Sequence, residues 1–207
     1  MKMKKRILWI TQTAMLLAIA VISQTYLLMI LGGPGNPVSQ LVVGSVVNFC
    51  LILATLTSGF FSGAAISVCV PLIALLMGRM QIPQQIIVVA FGNLALVFIF
   101  WLFCGKKITG KHETFNWGVA AITGAFAKFT VLWFGMIKII VPFFLANSGR
   151  PPQQITNMTA MITITFTWPQ LATALTGSIL AFCVYKVVKP IFFSKIIDAS
   201  YLNLYNL

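Results

Sequence analysis

Long apolar runs alternate with short polar or Gly/Pro-rich breaks along the whole chain. A helix needs about 20 mostly apolar residues to cross a bilayer. Six runs approach or exceed that length, at about 8–31, 38–56, 60–77, 83–103, 117–145 and 168–188. The breaks are chemically distinct. Gly32-Gly33-Pro34-Gly35-Asn36-Pro37 ends the first run, and Thr57-Ser58-Gly59 marks a tight reversal after the second. Gly and Pro are the strongest punctuators of regular structure. A polar stretch, 105–116, follows the fourth run. Residues 147–166 hold Pro151-Pro152-Gln153-Gln154 and then a Thr-rich apolar patch. That is long for a plain loop, and it predicts a short interfacial helix or a lid. The pattern as a whole predicts an all-α, six-helix transmembrane bundle in a single integral membrane domain, 1–207.

Composition supports lipid as the solvent. Of 207 residues, 59% are apolar and 8% charged, against about 25% charged in a soluble domain. Mean hydropathy is +0.99. A soluble fold of this size would expose too much apolar surface to stay dissolved. The basic start followed by an apolar run resembles a signal peptide, but residues 7–31 exceed an h-region of about 7–15 residues. The first run therefore reads as a retained span.

The net charge of +12 gains meaning from its placement. Lys2, Lys4, Lys5 and Arg6 precede the first run. Lys106, Lys107 and Lys111 lie in the polar interruption, and Lys186, Lys189 and Lys195 follow or close the last run. Alternate loops hold only Arg79 and Arg150. The positive-inside rule then predicts both ends in the cytoplasm. These flanking charges do not form a nucleic-acid face. Pro37, Pro83 and Pro169 open the second, fourth and sixth runs, where a missing N–H costs nothing. Thr167 and Gln170 have capping-box spacing. Those helix N-termini would carry partial positive charge toward the outer surface.

Lys128 and Lys138 fall inside the fifth run. Lys128 is about 16 Å from Trp117 along an ideal helix, near mid-bilayer, and Lys138 about 15 Å further out. On an ideal helix they are roughly 80° apart, so one broad interior face accommodates both. The competing reading is snorkelling to the interface, which suits Lys138 better than Lys128. The acids, Glu113 and Asp198, both lie in cytoplasmic segments. An embedded lysine without a protein counter-ion makes a ligand anion one candidate partner, beside backbone carbonyls and water. Gln24, Thr25, Tyr26, Gln40, Asn48, Asn93 and Gln170 are further polar residues in the spans, available for helix packing or for lining a cavity. Trp133 and Trp168 offer stacking surfaces, although Trp also favours membrane interfaces.

Other chemistry is absent from the sequence. Cys50, Cys69, Cys104 and Cys183 share no metal-like spacing and read as small buried hydrophobes. His112 sits between Lys111 and Glu113 and reads as a solvated loop residue. No Walker A, H-E-x-x-H or G-x-S-x-G motif occurs. Two acids and one histidine leave little for acid–base chemistry, so no enzyme, cofactor or metal site is expected. No embedded carboxylate serves a proton relay, and no inverted repeat is visible.

Small residues form possible contact faces. Ser58-Gly59, Ser62-Gly63 and Ala64-Ala65 include a G-x-x-x-G, and Ala14 and Ala18 stand four apart; such faces admit close helix contact. With Ala14-x-x-x-Ala18, the Gly-Pro loop after the first run, the stretch ending Pro71-Leu-Ile-Ala-Leu-Leu-Met-Gly78, and Trp168-Pro-Gln-Leu-Ala-Thr-Ala-Leu-Thr-Gly177, the chain resembles the substrate-binding S components of energy-coupling factor (ECF) transporters over residues 5–190. The resemblance implies a prokaryotic plasma-membrane subunit that captures a vitamin or similar micronutrient from outside. It implies as partners a separate ECF transmembrane subunit and two cytoplasmic ATPases. Ala14 and Ala18 would dock the membrane subunit, and Gly32 to Pro37 would gate a pocket in the outer half between spans four, five and six. Lys138 is then the expected anchor for a carboxylate or phosphate, with Lys128 second. Arg79, Arg150, Asn93, Trp133 and Gln170 are the outer or lining candidates. Lys138→Met is expected to weaken binding at least tenfold, about 1.4 kcal/mol. The alternatives are a self-contained carrier or channel and a non-transport assembly subunit.

Overall fold

The apolar runs become helices that cap themselves at their polar breaks. The computed structural model describes residues 2–33, 36–80, 82–105 and 113–201. Pro34 and Gly35 of the Gly-Pro loop, and Lys106, Lys107, Lys111 and His112, lie outside the described residues. Helix α1 (Lys2–Ile22) passes through a π segment, π1 (Ser23–Leu27), into the short α2 (Leu28–Ile30). Then follow α3 (Pro37–Ser58), α4 (Phe60–Leu76) and α5 (Gln85–Cys104). Helix α6 (Glu113–Trp133) runs on into a second π segment, π2 (Phe134–Leu145). The last two are α7 (Pro152–Thr165) and α8 (Trp168–Tyr201). The protein is an all-α transmembrane bundle.

Among the described residues, five helical stretches are long and apolar enough to cross a membrane: Arg6–Ile30, Pro37–Ser58, Gln85–Cys104, Glu113–Leu145 and Pro152–Val188. Phe60–Leu76 is shorter, at 17 residues, and rises only about 26 Å. Large apolar side chains such as Ile30, Phe61 and Leu76 point outward, as a lipid-facing surface requires. Segment 147–166 contains α7, a helix with Met158 and Ile162 buried. It packs on π2 and α8 and shares an apolar cluster with Ile82, Met136, Ile140 and Leu145.

Three breaks have clear local causes. Asn36 caps α3, accepting from Val38 N–H at 2.9 Å, with Pro37 in the first turn. At the end of α4, Gly78 takes φ +67, a value that glycine adopts cheaply. Gly78 N–H then donates to Leu75 C=O and Arg79 N–H to Ala74 C=O, which is a Schellman motif. Pro83 does not open α5; it lies in the turn before Gln85, where Ile86 N–H donates to its carbonyl. Thr167 and Gln170 do not form a capping box either. The Gln170 amide donates to Thr165 C=O at 3.1 Å because α7 ends two residues upstream of α8 and leaves that carbonyl free of a helical partner.

Helix α3 is central and packs against α1, α4, α5 and α8. Its contact with α8 depends on glycine. A Cβ on Gly177 would lie 2.7 Å from Asn48 Cβ and 2.7 Å from the Ser45 carbonyl, and a backbone carbonyl cannot step aside alone. Gly177→Ala is therefore expected to destabilise the bundle by about 1–3 kcal/mol, as overpacking does. Thermal unfolding in detergent checks this against Gly118→Ala, whose Cβ would meet nothing within 4 Å. The control is expected to be neutral or mildly stabilising through helix propensity.

Candidate functional site

Two polar assemblies stand out against the apolar background. The first is buried in the middle of the bundle. Lys128, on α6, is 4% exposed. Its amine donates to Asn48 Oδ1 on α3 at 2.6 Å and to Asn93 Oδ1 on α5 at 2.8 Å. Asn48 Nδ2 donates in turn to Thr173 Oγ1 on α8 at 3.3 Å. The Thr173 hydroxyl donates to Gln170 C=O at 3.2 Å. Four helices are thereby joined through one directional chain of hydrogen bonds. Buried polar groups must be paired in this way, because each orphan costs its full desolvation penalty. Glycines let the helices close around it: Gly44 faces Thr173, and Gly92 faces Leu132.

The second assembly is a cavity of about 270 Å³. It lies at the end of the bundle where α1 to α2 finishes and α3 begins, opposite the amino-terminal basic residues. Gln24 and Leu28 come from π1 and α2, Gln40, Val43 and Gly44 from the first turns of α3. Ala74, Arg79 and Met80 come from the end of α4 and the turn after it, Gln85 and Val89 from α5. Met161, Ile162, Thr165 and Phe166 close it from α7 and its end, with Gln170 from α8. The volume is slightly below the roughly 300–1,000 Å³ typical of drug-sized ligand sites, so it suits a molecule of one or two rings.

Local structure aims the polar side chains. The Schellman turn at Gly78 brings Arg79 back toward the first span, where Arg79 Nη2 donates to Thr25 C=O at 3.2 Å. Gln24 lies in π1, and single π turns often mark functional sites because they shift side-chain register. Among the described lining residues Arg79 is the one cation, and none is acidic.

The structure sorts the expected site residues into separate places. Arg79 and Gln170 line the cavity. Asn93 and Lys128 do not; they belong to the buried network that reaches Gln170 through Asn48 and Thr173. Lys138 also lies outside the cavity. It is exposed on π2, with its amine 5.4 Å from the centroid of Trp133, itself 37% exposed. The ideal-helix projection that placed both lysines on one face fails here because π2 begins at Phe134. Its i→i+5 bonding widens the turn, so Lys138 lags behind its α-helical position. Arg150 precedes α7 and donates to Met158 Sδ at 2.7 Å. Gly32 and Gly33 close the first span, with Gly33 N–H donating to Leu28 C=O, beside the cavity residue Leu28. Ala14 and Ala18 are exposed along α1. Gln85, 4% exposed, escaped the sequence reading; an amide two residues after Pro83, where a span begins, was the available signal.

The family model for the ECF transporter substrate-specific component matches residues 9–189. The chain belongs to this family. Comparison with curated proteins and with solved structures yields no match. Family membership makes this ECF component a substrate-specific membrane subunit, multi-pass, working with ECF transmembrane and ATPase subunits on a small solute. Members of the family are transport subunits.

Proposed function

We propose that this ECF component captures a small organic micronutrient of the vitamin class from outside a prokaryotic cell and holds it in the cavity between α3, α5, α7 and α8. The observation that carries this reading is the position of the cavity. It opens among the helix ends opposite the basic amino terminus, which is the outer face if both termini are cytoplasmic. Placement of ten of the 14 Lys and Arg residues in the inner segments supports that orientation. Arg79, rather than Lys138, is the assigned contact for a carboxylate or phosphate on the solute, because Arg79 lines the cavity and presents a planar fork of donors. Gln170 contacts the same solute. Asn93 and Lys128 act from below through the network. The loop from Gly32 to Pro37 and helix α7 form the gate.

The exposed Ala14 and Ala18 are the assigned docking face for the ECF transmembrane subunit. Small residues let another helix approach closely. Affinity purification from the native membrane, with mass spectrometry of proteins and small molecules, tests the whole reading. Two ATPases and a second membrane protein are expected to co-purify with the native chain. Ala14→Leu/Ala18→Leu is expected to lose those proteins while retaining the solute. Absence of the ATPases in several mild detergents would favour a self-contained carrier instead.

A further inference from the structure

The solute cavity leaves one embedded cation without a role. Lys138 is exposed on π2 and lines no part of the cavity. Its amine makes no hydrogen bond or ion pair among the described residues and lies 5.4 Å from the centroid of the Trp133 ring. Helix rise sets its height. From Trp117 to Trp133 the α6 backbone climbs about 24 Å. Lys138 is the fifth residue of π2, where i→i+5 bonding widens the turn and shortens the rise. It therefore stands about 30 Å from Trp117, the thickness of a hydrocarbon core. The same bonding puts positions 133 and 134 directly beneath 138, one π turn down. Trp133 is 37% exposed and Phe134 56%. Lys138 thus tops a slot between two aromatic side chains on the lipid-facing surface.

We propose that Lys138, Trp133 and Phe134 bind an anionic phospholipid in the leaflet opposite the basic amino terminus. The phosphate sits on the Lys138 amine, and an acyl chain lies along the two rings. A cation at the hydrocarbon boundary is costly until it is partnered, and a phosphate oxygen gives it a charge-assisted hydrogen bond. A lysine that only snorkels extends toward water; this one folds back over Trp133, which holds the amine at the boundary. A zwitterionic headgroup would bring a second ammonium to a surface with no carboxylate to absorb it. Glu113 opens α6 at the far end of the span, and Asp198 lies beyond the last span. Inorganic phosphate would leave both rings unused, so a lipid is the better fit.

The test is quenching of tryptophan fluorescence by lipids brominated on the acyl chain, with the full-length chain in mixed micelles. Brominated phosphatidylglycerol is compared with brominated phosphatidylcholine, and a Trp133→Phe variant isolates the Trp133 signal from the other four tryptophans. Phosphatidylglycerol is expected to occupy the Trp133 site with about a fivefold preference, as one interfacial lysine supplies. Lys138→Met is expected to abolish that preference and Lys138→Arg to keep it. The proposal is overturned if both lipids quench Trp133 equally, if the preference survives Lys138→Met, or if millimolar inorganic phosphate removes it. The first outcome means simple snorkelling, the second a charge elsewhere such as the basic flanks, and the third a site for a soluble anion. Because Lys138 lies outside the cavity, none of these outcomes bears on solute capture or ATPase co-purification.

Discussion

Asn93→Leu is expected to destabilise the bundle by about 3 kcal/mol, more than Lys128→Met does, even though lysine is the ionisable residue. The reason lies in what each substitution strands. Lys128 is 4% exposed and has two carbonyl acceptors, Asn48 and Asn93, and no carboxylate. Removing Asn93 takes away one of those two acceptors and leaves the amine under-solvated at mid-bilayer depth. Breaking one side of a buried polar pair costs about 3–5 kcal/mol when the remaining group is ionic. Removing the amine instead leaves two amide oxygens short of a donor. Hydrogen bonds between transmembrane helices are worth only about 0.6 kcal/mol on average, and at most about 1.7, so Lys128→Met should cost about 1–3 kcal/mol. The double variant Lys128→Met/Asn93→Leu replaces both partners by apolar groups and is expected to be more stable than Asn93→Leu alone. Unfolding of the four proteins in mixed micelles completes the cycle. Strict additivity would show that the network contributes nothing as a unit.

Arg79→Met is expected to weaken solute binding about 30-fold, or roughly 2 kcal/mol, whereas Lys138→Met leaves affinity within about twofold. The two cations differ in surroundings rather than in charge. Arg79 is half-buried, tethered to Thr25 and lines the cavity. Truncating a desolvated charged hydrogen-bond partner costs about 2–5 kcal/mol; partial exposure places Arg79 at the lower end. Lys138 is exposed on π2 beside Trp133 and touches no part of the cavity lining. Titration calorimetry with the solute released from the native protein checks both variants. Tighter dependence on Lys138 than on Arg79 would return the anchor to π2 and require a different pocket.

These two experiments also separate what was legible in the sequence from what was not. Lys128 was recognisable as a residue with a purpose because its depth follows from counting residues along a helix. Its partners were not: Asn48 is 80 residues away and Asn93 is 35 residues away, and no local pattern pairs them. Arg79 was named as an outer candidate, but its neighbour Gln24 became a cavity residue only through π1 and the turn at Gly78. Gln40 and Gln170 were visible as amides in spans, each as suited to packing as to ligand contact. Gln85 was overlooked because it sits at the very start of an apolar run. The family resemblance and the depth of Lys138 along an ideal helix point to it as the anchor, and the π segment that redirects it carries no obvious sequence signal.

By itself the sequence determined the elements: apolar run length sets membrane crossing, Gly and Pro set the breaks, and Ala14-x-x-x-Ala18 with the Gly-Pro loop carried the family resemblance that the family match bears out. These are local properties, written in consecutive residues. The tertiary structure alone decided which polar groups meet. It put Arg79, Gln24, Gln85 and Gln170 around one cavity, joined Lys128 to Asn48 and Asn93, and left Lys138 outside. The physical reason is that a side chain's direction in a bundle depends on cumulative helix rotation and on how closely neighbouring helices approach. A π turn alters the first, and glycines such as Gly44, Gly92 and Gly177 set the second. Both accumulate over distances that no sequence window spans.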